Sequence, residues 1–270
     1  MKFFSIIIPT YNSSATIKNC IEILQQQTFT DFEILIIDGL STDNTKIIIE
    51  EIDDDRIFFC SGEDAGVYDA MNKGIKIANA KWLFFLGSDD FLYNENVLAD
   101  TSEILNKTSS KFVYGDVKIV GDSIWARDNE IYRGKTSVTD LLSVNICHQC
   151  IFYASEIFES KLYNLKYNVL ADYDFNIYCC SKYEMRYIPI IVSYFNSGGI
   201  SSNVKDAVFE IEKWLNIIKY FGLKLLNKAF YRYRYNIKKT IIPFTKEYEF
   251  KLAFISIIVF CYLKLIRFKV

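Results

Sequence analysis

The chain begins with the apolar run Phe3-Phe4-Ser5-Ile6-Ile7-Ile8, which Pro9-Thr10-Tyr11-Asn12 follows directly. An apolar run of this length is typical of a strand that is buried on both faces. Similar runs follow at residues 32–37, 56–60 and 81–86. Amphipathic stretches that predict helices lie between them, at residues 13–26, 41–52 and 67–78. This alternation predicts an α/β fold, with a mostly parallel sheet covered by helices on both faces.

Short polar residues mark where two of these helices are expected to begin. Ser13 or Ser14 can cap the first helix, and residues 41–43 can cap the second. Pro9 is expected to end the first strand. The buried face of the second helix is expected to carry three isoleucines, Ile47, Ile48 and Ile52.

The second half of the chain is less regular. Strands are expected at residues 112–120, 149–153 and 186–194, and helices at residues 171–182 and 205–221. Neither a repeat nor a low-complexity linker interrupts this part of the sequence. We therefore expect a single domain over residues 1–223.

The composition excludes several classes of protein. Hydrophobic residues make up 51% of the 270 residues and charged residues 24%, which excludes a disordered or collagen-like chain. Three prolines and 11 glycines are too few for a turn-rich all-β sandwich. Residues 1–223 carry a net charge of −11, whereas residues 224–270 carry +9. A basic tail on an acidic body predicts an anionic membrane surface as partner rather than nucleic acid.

The tail itself supports that expectation. Tyrosine alternates with arginine over residues 231–235, and an apolar stretch of 12 residues follows at 252–263. Roughly 20 apolar residues are needed to span a bilayer, so the tail is expected to lie in the headgroup region. A core helix with a solvated basic face, or a short tilted anchor, remains an alternative.

The seven cysteines are irregularly spaced, and no signal peptide is recognised before them. Reduced thiols in the cytoplasm are the simplest interpretation. Cys147 and Cys150 have a C-x-x-C spacing, but no second Cys/His pair accompanies them at zinc-site spacing. A metal or redox site is therefore not expected there.

Polar residues follow each strand of the first half, where ligands of open parallel sheets bind. Asp38 follows the second strand and can accept hydrogen bonds from a base or a ribose. Asp89 and Asp90 follow the fourth strand, and adjacent carboxylates repel each other. A divalent cation that bridges to phosphate oxygens would relieve this repulsion. An acidic helix cap is the alternative explanation of the pair.

Four segments in this order resemble the nucleotide-binding half of a family 2 glycosyltransferase of the GT-A fold. They are residues 6–12, 37–43, 64–74 and 87–90. The resemblance implies a Rossmann-like, mixed and mostly parallel sheet flanked by helices, with a C-terminal basic and aromatic helical extension. Residues 1–110 would form the nucleotide-binding half and 111–223 the acceptor-binding half, and 224–270 a membrane-associating tail.

The resemblance also implies roles for individual residues. Asp90 would ligate Mn²⁺ or Mg²⁺ on the donor diphosphate, and Asp89 would contact the ribose. His148 would contact the diphosphate or the acceptor, although a packed structural histidine is an alternative. The remaining positions implied in nucleotide-sugar binding are Pro9, Thr10, Tyr11, Asp38, Asp64 and Asn72.

A general base is implied at the start of the helix over residues 171–182. Asp172 matches the base of the family's Glu-Asp-aromatic element, with Ala171 in place of the glutamate and Asp174 as the rival. Transfer with inversion is implied, with Asp172 taking the proton of the acceptor hydroxyl. The Gln-x-x-Arg-Trp element of processive members is absent from the sequence, which favours transfer of a single sugar.

The resemblance thus predicts a metal-dependent enzyme that moves one sugar from a nucleotide sugar to a glycan acceptor, expected to be lipid-linked, in cell-surface polysaccharide synthesis. It would act at the inner face of the plasma membrane. A sugar nucleotidyltransferase is an alternative, although it needs a glycine-rich basic loop where residues 9–12 lie. A non-catalytic nucleotide-sugar-binding or scaffold protein is another. The donor sugar, its base and the linkage have no signature in the sequence.

Overall fold

The computed structural model describes residues 1–122, 126–197, 204–233, 235–238, 254 and 257–262. Its strands and α-helices, in chain order, are β1 (Lys2–Thr10), α1 (Ile17–Gln25), β2 (Phe32–Asp38), α2 (Thr45–Glu50), β3 (Ile57–Ser61), α3 (Val67–Ile77), β4 (Ala80–Phe85), β5 (Phe91–Leu92), α4 (Val97–Leu105), β6 (Phe112–Val120), β7 (Ile131–Tyr132), α5 (Val138–Leu141), β8 (Ile151–Ala154), α6 (Ala171–Lys182), β9 (Met185–Asn196) and α7 (Ala207–Phe221). Short 3₁₀ helices lie at His148–Cys150, Ser155–Glu159, Gly222–Leu226 and Lys228–Tyr233.

The strands form one mixed sheet in the order β3-β2-β1-β4-β8-β6-β9-β5, with β7 paired to β6. The first four strands along the chain pair with one another in parallel. β8 is antiparallel to both β4 and β6, whereas β6 and β9 are parallel. The expected mixed, mostly parallel sheet flanked by helices is therefore confirmed.

The register of the parallel strands places three polar residues side by side. Thr10 at the end of β1 pairs with Asp38 at the end of β2, and Asp38 pairs in turn with Ser61 at the end of β3. The apolar residues before Thr10 and Asp38 are buried, with Ile6 and Ile36 fully so, whereas Phe58 of the edge strand β3 is 57% exposed. Because the three strands end in register, their polar residues share one rim of the sheet.

Pro9 does not end β1, contrary to expectation. The strand continues to Thr10, and Pro9 lies opposite Ile37 of β2. The carbonyl of Ile7 accepts from Leu86 N–H of the chain leaving β4, at 3.1 Å. The backbone of Pro9, two residues further, points to the same side as that of Ile7. Pro9 lies beyond the last residue pair between β1 and β4, which is Ile7 with Phe85. Its missing N–H therefore removes no bond from the ladder.

The expected caps and one expected helix face were also wrong. Thr16, not Ser13 or Ser14, is the N-cap residue of α1, and its side chain makes no capping bond. α2 begins only at Thr45, after Asn44. Thr45 and Ile49 are its buried residues, while Ile47 is 56% exposed. Ile48 and Ile52 pack against the core as expected, although both are only partly buried.

The chain continues to pack on the domain beyond residue 223. Five of the described side chains beyond residue 223 are buried, namely Leu225, Phe230, Tyr233, Ile237 and Val259. Arg232 also pairs with Asp140 at 2.7 Å. The expected domain boundary at residue 223 therefore does not coincide with a break in packing. Most of the predicted membrane-associating stretch, including residues 239–253 and 263–270, lies outside the described residues.

Two global features bear on the expectations for compartment and membrane. All seven cysteines are free, in agreement with the expected reduced thiols. Within the described ranges, every helix is too short or too polar to cross a bilayer.

Candidate active site

Asp38 is the buried acid at the rim of the sheet where β1, β2 and β3 end. Its side chain is 1% exposed. The carboxylate accepts a hydrogen bond from Ser61 Oγ at 2.6 Å and from Ser41 N–H at 3.1 Å, and the Ser41 hydroxyl also donates to it. Thr10 lies beside Asp38 and donates its hydroxyl to the Ile8 carbonyl at 3.1 Å. The rim therefore holds one buried carboxylate in a fixed orientation.

The loops that follow β1 and β2 are tied together above this carboxylate. Asn12, at a φ of +48°, accepts from Thr42 N–H at 2.8 Å and donates its own N–H to Ser41 Oγ at 2.8 Å. Tyr11 lies in the same loop and is 64% exposed. An aromatic ring is thus offered to solvent from a fixed backbone, as stacking on a flat ligand requires.

Asp64 lies against the same rim. A Cβ added at Gly39 would lie 2.6 Å from Asp64 Oδ2, so the Asp64 carboxylate lies directly against the residue after Asp38. Gly66 N–H donates to Asp64 Oδ1 at 2.9 Å. Asp64 therefore lies near the rim that contains Asp38, and its role in nucleotide-sugar binding stays a prediction.

Asn72, expected to contact the nucleotide sugar, forms hydrogen bonds within the protein. Its amide donates to the Tyr163 carbonyl at 2.9 Å and accepts from Tyr163 N–H at 3.0 Å. The side chain is buried. These contacts tie α3 to the segment that leads into α6, and this structural role is the one that they support.

The carboxylates of Asp89 and Asp90 both lie close to Gly87. A Cβ at Gly87 would lie 2.6 Å from Asp90 Oδ2 and 3.0 Å from Asp89 Oδ1. Asp90 is buried and accepts from Gly87 N–H and from Gln149 Nε2, each at 3.0 Å, whereas Asp89 is exposed. Burial, followed by the charge of Asp89, raises the pKa of Asp90 to about 6, against the opposing charge of His148. A cation beside the pair would lower the free energy of the charged form.

The oxygen atoms around Asp90 fit a hard divalent cation. Gln149 Oε1 is buried with no hydrogen-bond partner, next to the amide nitrogen that bonds Asp90. Carboxylate and amide oxygens are ligands that Mg²⁺ and Mn²⁺ accept. In the part of the chain that the structure describes, no three His, Cys, Asp or Glu side chains form a ready metal cage. Oxygen atoms of a bound ligand would have to complete the coordination.

The 3₁₀ helix His148–Cys150 contacts both Asp90 and a further acid, Asp172. Gln149 bonds Asp90, and His148 Nδ1 lies 3.8 Å from Asp172 Oδ2. Burial raises the pKa of the neighbouring Cys147 thiol, and the charges of Asp172 and Asp90 raise it further. Both carboxylates therefore lie around the same turn of the chain.

Asp172 is held by two donors in the first turn of α6. Asn145 Nδ2 donates to its Oδ2 at 2.9 Å, and Tyr68 OH lies 2.9 Å from its Oδ1 and 2.6 Å from the Val169 carbonyl, so that these two acceptors share the one hydroxyl proton. Asn145 is fixed in turn by Asn176 Nδ2 at 2.9 Å, and Asn176 accepts from Tyr153 OH at 2.6 Å. The carboxylate is 6% exposed. Its orientation is therefore set by a hydrogen-bonded chain from the core.

Asp174, the rival acid, faces the opposite side of α6. It is fully buried and pairs with Lys161 Nζ at 2.8 Å. Asn216 Nδ2 at 2.9 Å and Tyr220 OH at 3.0 Å also donate to it from α7. These partners occupy the carboxylate, and the site around His148 contains Asp172 alone of the two.

Four residues of the site were not assigned a role from the sequence, namely Asn12, Tyr68, Asn145 and Gln149. The bond from Tyr68 to Asp172 spans 104 positions, and that from Gln149 to Asp90 spans 59. No local pattern links partners so far apart. Only adjacency to Cys147 and His148 could have drawn attention to Gln149.

Comparisons with known proteins bear directly on this site. The family model described as Glycosyl transferase family 2 matches residues 5–163, a range that includes Asp38, Asp90 and His148. A PGL/p-HBAD biosynthesis glycosyltransferase of Mycobacterium tuberculosis (strain ATCC 25177 / H37Ra) is 40% identical over 215 residues, covering 76% of this chain and 82% of the relative.

Two further proteins are similar over most of the chain. The UDP-Glc:alpha-D-GlcNAc-diphosphoundecaprenol beta-1,3-glucosyltransferase WfaP of Escherichia coli is 29% identical over 255 residues, covering 89% of this chain and 95% of the relative. The crystal structure of S. aureus TarS 1–349 in complex with UDP-GlcNAc has a TM-score of 0.68 at 17% identity, covering 95% of this chain and 79% of TarS. The likeness to TarS is a likeness of fold.

Proposed function

Because this chain belongs to glycosyl transferase family 2 and is a glycosyltransferase, we propose that it moves one sugar, with inversion, from a nucleoside-diphosphate sugar to a lipid-linked glycan acceptor. One observation carries the proposal. The turn at His148 and Gln149 joins a buried acid suited to the donor diphosphate, Asp90, to a buried acid suited to the acceptor, Asp172. Family membership sets aside the nucleotidyltransferase and the non-catalytic alternatives.

The nucleoside is proposed to bind at the rim formed by Thr10, Asp38 and Asp64. Asp38 presents carboxylate oxygens that Ser41 and Ser61 already orient, so that a base N–H could replace a serine donor. The exposed ring of Tyr11 is placed to stack on the base. The ribose is proposed to contact Asp89, which is exposed at the end of β4.

Asp90 is proposed to hold a divalent cation, Mn²⁺ or Mg²⁺, together with the donor diphosphate. The converging charges of Asp89 and Asp90 and the unpartnered oxygen of Gln149 support this assignment. When bound, such an ion would neutralise charge on the departing nucleoside diphosphate. His148 is proposed to add a hydrogen bond on the side facing Asp172.

Asp172 is proposed to act as the general base. The acceptor hydroxyl oxygen forms the new bond to the anomeric carbon while the bond from that carbon to the diphosphate oxygen breaks. The hydroxyl proton passes to the carboxylate of Asp172. Tyr68 and Asn145 each donate to one oxygen of the carboxylate and so aim the remaining lone pairs at the acceptor.

The relatives support the choice of substrates. The name of the E. coli relative gives a sugar carried on diphosphoundecaprenol as acceptor and UDP-Glc as donor, and the TarS structure holds UDP-GlcNAc. By analogy, a lipid-linked acceptor is proposed here, in cell-surface polysaccharide synthesis at the cytoplasmic face of the membrane. The basic tail is proposed to bind the anionic lipid surface there.

Thermal unfolding of the full chain tests the proposal at low cost. We expect at least one nucleoside diphosphate to raise the unfolding temperature only when Mn²⁺ or Mg²⁺ is present, because ligands that bind the native state stabilise it. The corresponding nucleotide sugar should then release that diphosphate when a lipid-linked acceptor is added. A chain that no nucleoside diphosphate stabilises with either ion would refute the proposal.

A further inference from the structure

Most half-buried cations of the described chain are paired with a carboxylate. Three are not, namely Lys118, Arg133 and Lys213. Lys118 lies over the ring of Tyr93 at 5.9 Å and contacts neither Tyr132 nor Tyr173 in the described structure. Of the other two, Lys213 contacts Tyr173, the residue that follows Asp172 in α6, and Arg133 contacts Tyr132 and Thr136. Since half-buried charges usually have partners, these two cations call for a ligand.

Lys213 reaches Tyr173 from α7. Its Nζ lies 2.9 Å from the Tyr173 hydroxyl and 4.3 Å from the centre of the ring. The hydroxyl donates its own proton to the Leu141 carbonyl at 2.8 Å. An ammonium group has three donors, and this contact uses one of them. The other two are available to an anion.

Arg133 reaches the same region from the loop after β7. Its Nη1 lies 3.5 Å from Tyr132 OH, and its Nη2 donates to the Thr136 hydroxyl. Asp116 anchors this loop, because its Oδ1 accepts from Gly134 N–H at 2.6 Å. The guanidinium group carries five donors, and among the described residues it forms no ion pair within 4 Å of a carboxylate, although buried Asp116 bonds the backbone of the next residue.

Contacts place Arg133 close to Asp172. Tyr132 OH, against which the guanidinium lies, also contacts the Asn145 carbonyl at 3.3 Å. Asn145 in turn bonds Asp172 through its side chain. Burial raises the pKa of the Tyr173 hydroxyl, and the positive charge of Arg133 opposes this rise. Lys213 thus contacts the residue next to Asp172, and Arg133 is linked to Asp172 through Tyr132 and Asn145.

We propose that Arg133 and Lys213 form a subsite for a phosphate group of the acceptor. This inference rests on the proposed function. Arg133 contacts Tyr132 and Thr136, and Lys213 contacts Tyr173, the residue after Asp172, whereas Asp90 bonds Gln149. An acceptor whose reacting sugar is joined to phosphate would place that phosphate beside them. Arginine and lysine are the side chains that bind phosphate most readily.

Inorganic pyrophosphate is the probe, titrated into the full chain by calorimetry with EDTA present, so that the metal-dependent donor site does not contribute. The wild type is expected to bind it. R133Q and K213Q should each weaken binding by roughly 10- to 100-fold, as loss of a hydrogen bond from a charged group predicts. K118Q, the matched control, should bind as the wild type does. Equal affinity of the wild type and the R133Q/K213Q double variant would overturn the subsite, and so would absence of binding to the wild type.

A second measurement separates the acceptor from the donor as the source of the phosphate. UDP with Mn²⁺ is titrated into the same variants, and unchanged affinity is expected, which also shows that the variants are folded. Weakened UDP binding in R133Q and K213Q would assign the cations to the donor diphosphate and overturn the proposal. If no nucleoside diphosphate binds the wild type but pyrophosphate binds through these cations, the proposed function fails while the anion subsite stands.

Discussion

Asn145 donates its side-chain amide to Oδ2 of Asp172 at a distance of 2.9 Å. The opposite oxygen of the carboxylate accepts from Tyr68 OH, also at 2.9 Å. Both donors come from segments outside α6, so the direction of the carboxylate is fixed by the tertiary structure rather than by its own helix. A base held in this way meets an acceptor hydroxyl without first losing rotamer freedom.

Asp172→Asn is expected to leave donor binding unchanged and to lower the rate of sugar transfer by roughly 10²- to 10⁴-fold, the usual contribution of a positioned general base. The amide is nearly isosteric with the carboxylate, so the fold should persist. Calorimetry with the nucleoside diphosphate and a steady-state transfer assay measure the two quantities. Transfer at the wild-type rate would show that Asp172 is not the base.

Asp174→Asn is the matched control on the same helix. The substitution leaves Lys161 half-buried without its carboxylate partner, which is expected to cost about 3–5 kcal/mol of unfolding free energy. Its folded fraction should still transfer sugar. A variant that keeps its unfolding temperature but loses transfer would exchange the roles of Asp172 and Asp174.

Asn145→Ala tests the positioning of the base. Removing one hydrogen bond to a charged group is expected to lower kcat by about 10- to 100-fold, while the KM for the donor stays unchanged because Asn145 lies on the acceptor side. A rise in the donor KM with constant kcat would contradict this role. The measurement is a kinetic titration of the donor at saturating acceptor.

Asp90→Asn is expected to abolish the metal-dependent part of donor binding. The asparagine oxygen can still accept from Gly87 N–H, so the loop should fold, but the charge that attracts the cation is lost. At 100 times Kd a ligand stabilises the native state by about 2.7 kcal/mol, and the variant should lose this gain. Thermal unfolding with UDP, with and without Mn²⁺, measures it. Asp100→Asn, on the exposed face of α4, is the control and should keep the full shift.

The first half of the fold could be predicted from the sequence because buried parallel strands leave an unmistakable apolar run. β6 and α6 also begin and end at the expected residues. α2 has only six residues, too few for periodicity to show which isoleucine faces the core. Pro9 was misjudged because its tolerance depends on where β4 ends, which is a property of the sheet.

Some residues of the candidate site could be predicted from the sequence and others could not. Asp38 and Asp90 follow their strands directly, and topology alone carries such residues to one rim. Gln149 and Asn145 act through partners 59 and 27 positions away, and only the assembled structure identifies them. Asn72 shows the opposite error, because its sequence position suggested a ligand contact and its amide instead bonds the backbone of Tyr163.

The membrane role of the tail is tested by charge removal beyond residue 238. Truncation at residue 224 would remove buried side chains such as Phe230 and Ile237 and so confuse unfolding with release. Lys→Gln and Arg→Gln changes at residues 239, 246, 251, 264, 267 and 269 are therefore preferred. Each basic residue near an anionic surface contributes about 1 kcal/mol, so flotation with anionic vesicles should show release. The control removes the same number of exposed lysines from the body of the protein, and equal binding of both variants would contradict the proposal.

The pH dependence of anion binding provides a test of Lys213 that no other residue of the subsite can mimic. Burial lowers the pKa of Lys213 from its ordinary value to about 8, with Glu210 on the same helix opposing the shift. Below that pH the ammonium is charged and attracts phosphate, and above it the neutral amine does not. Burial raises the pKa of the facing Tyr173 hydroxyl, and arginine keeps its charge throughout, so neither contributes in this range.

Since pyrophosphate itself ionises further as the pH rises, the informative quantity is the ratio of wild-type to K213Q affinity. We expect this ratio to be roughly tenfold at pH 7 and to approach one above about pH 9. A ratio that stays constant across this range would show that Lys213 does not bind the anion through its charge.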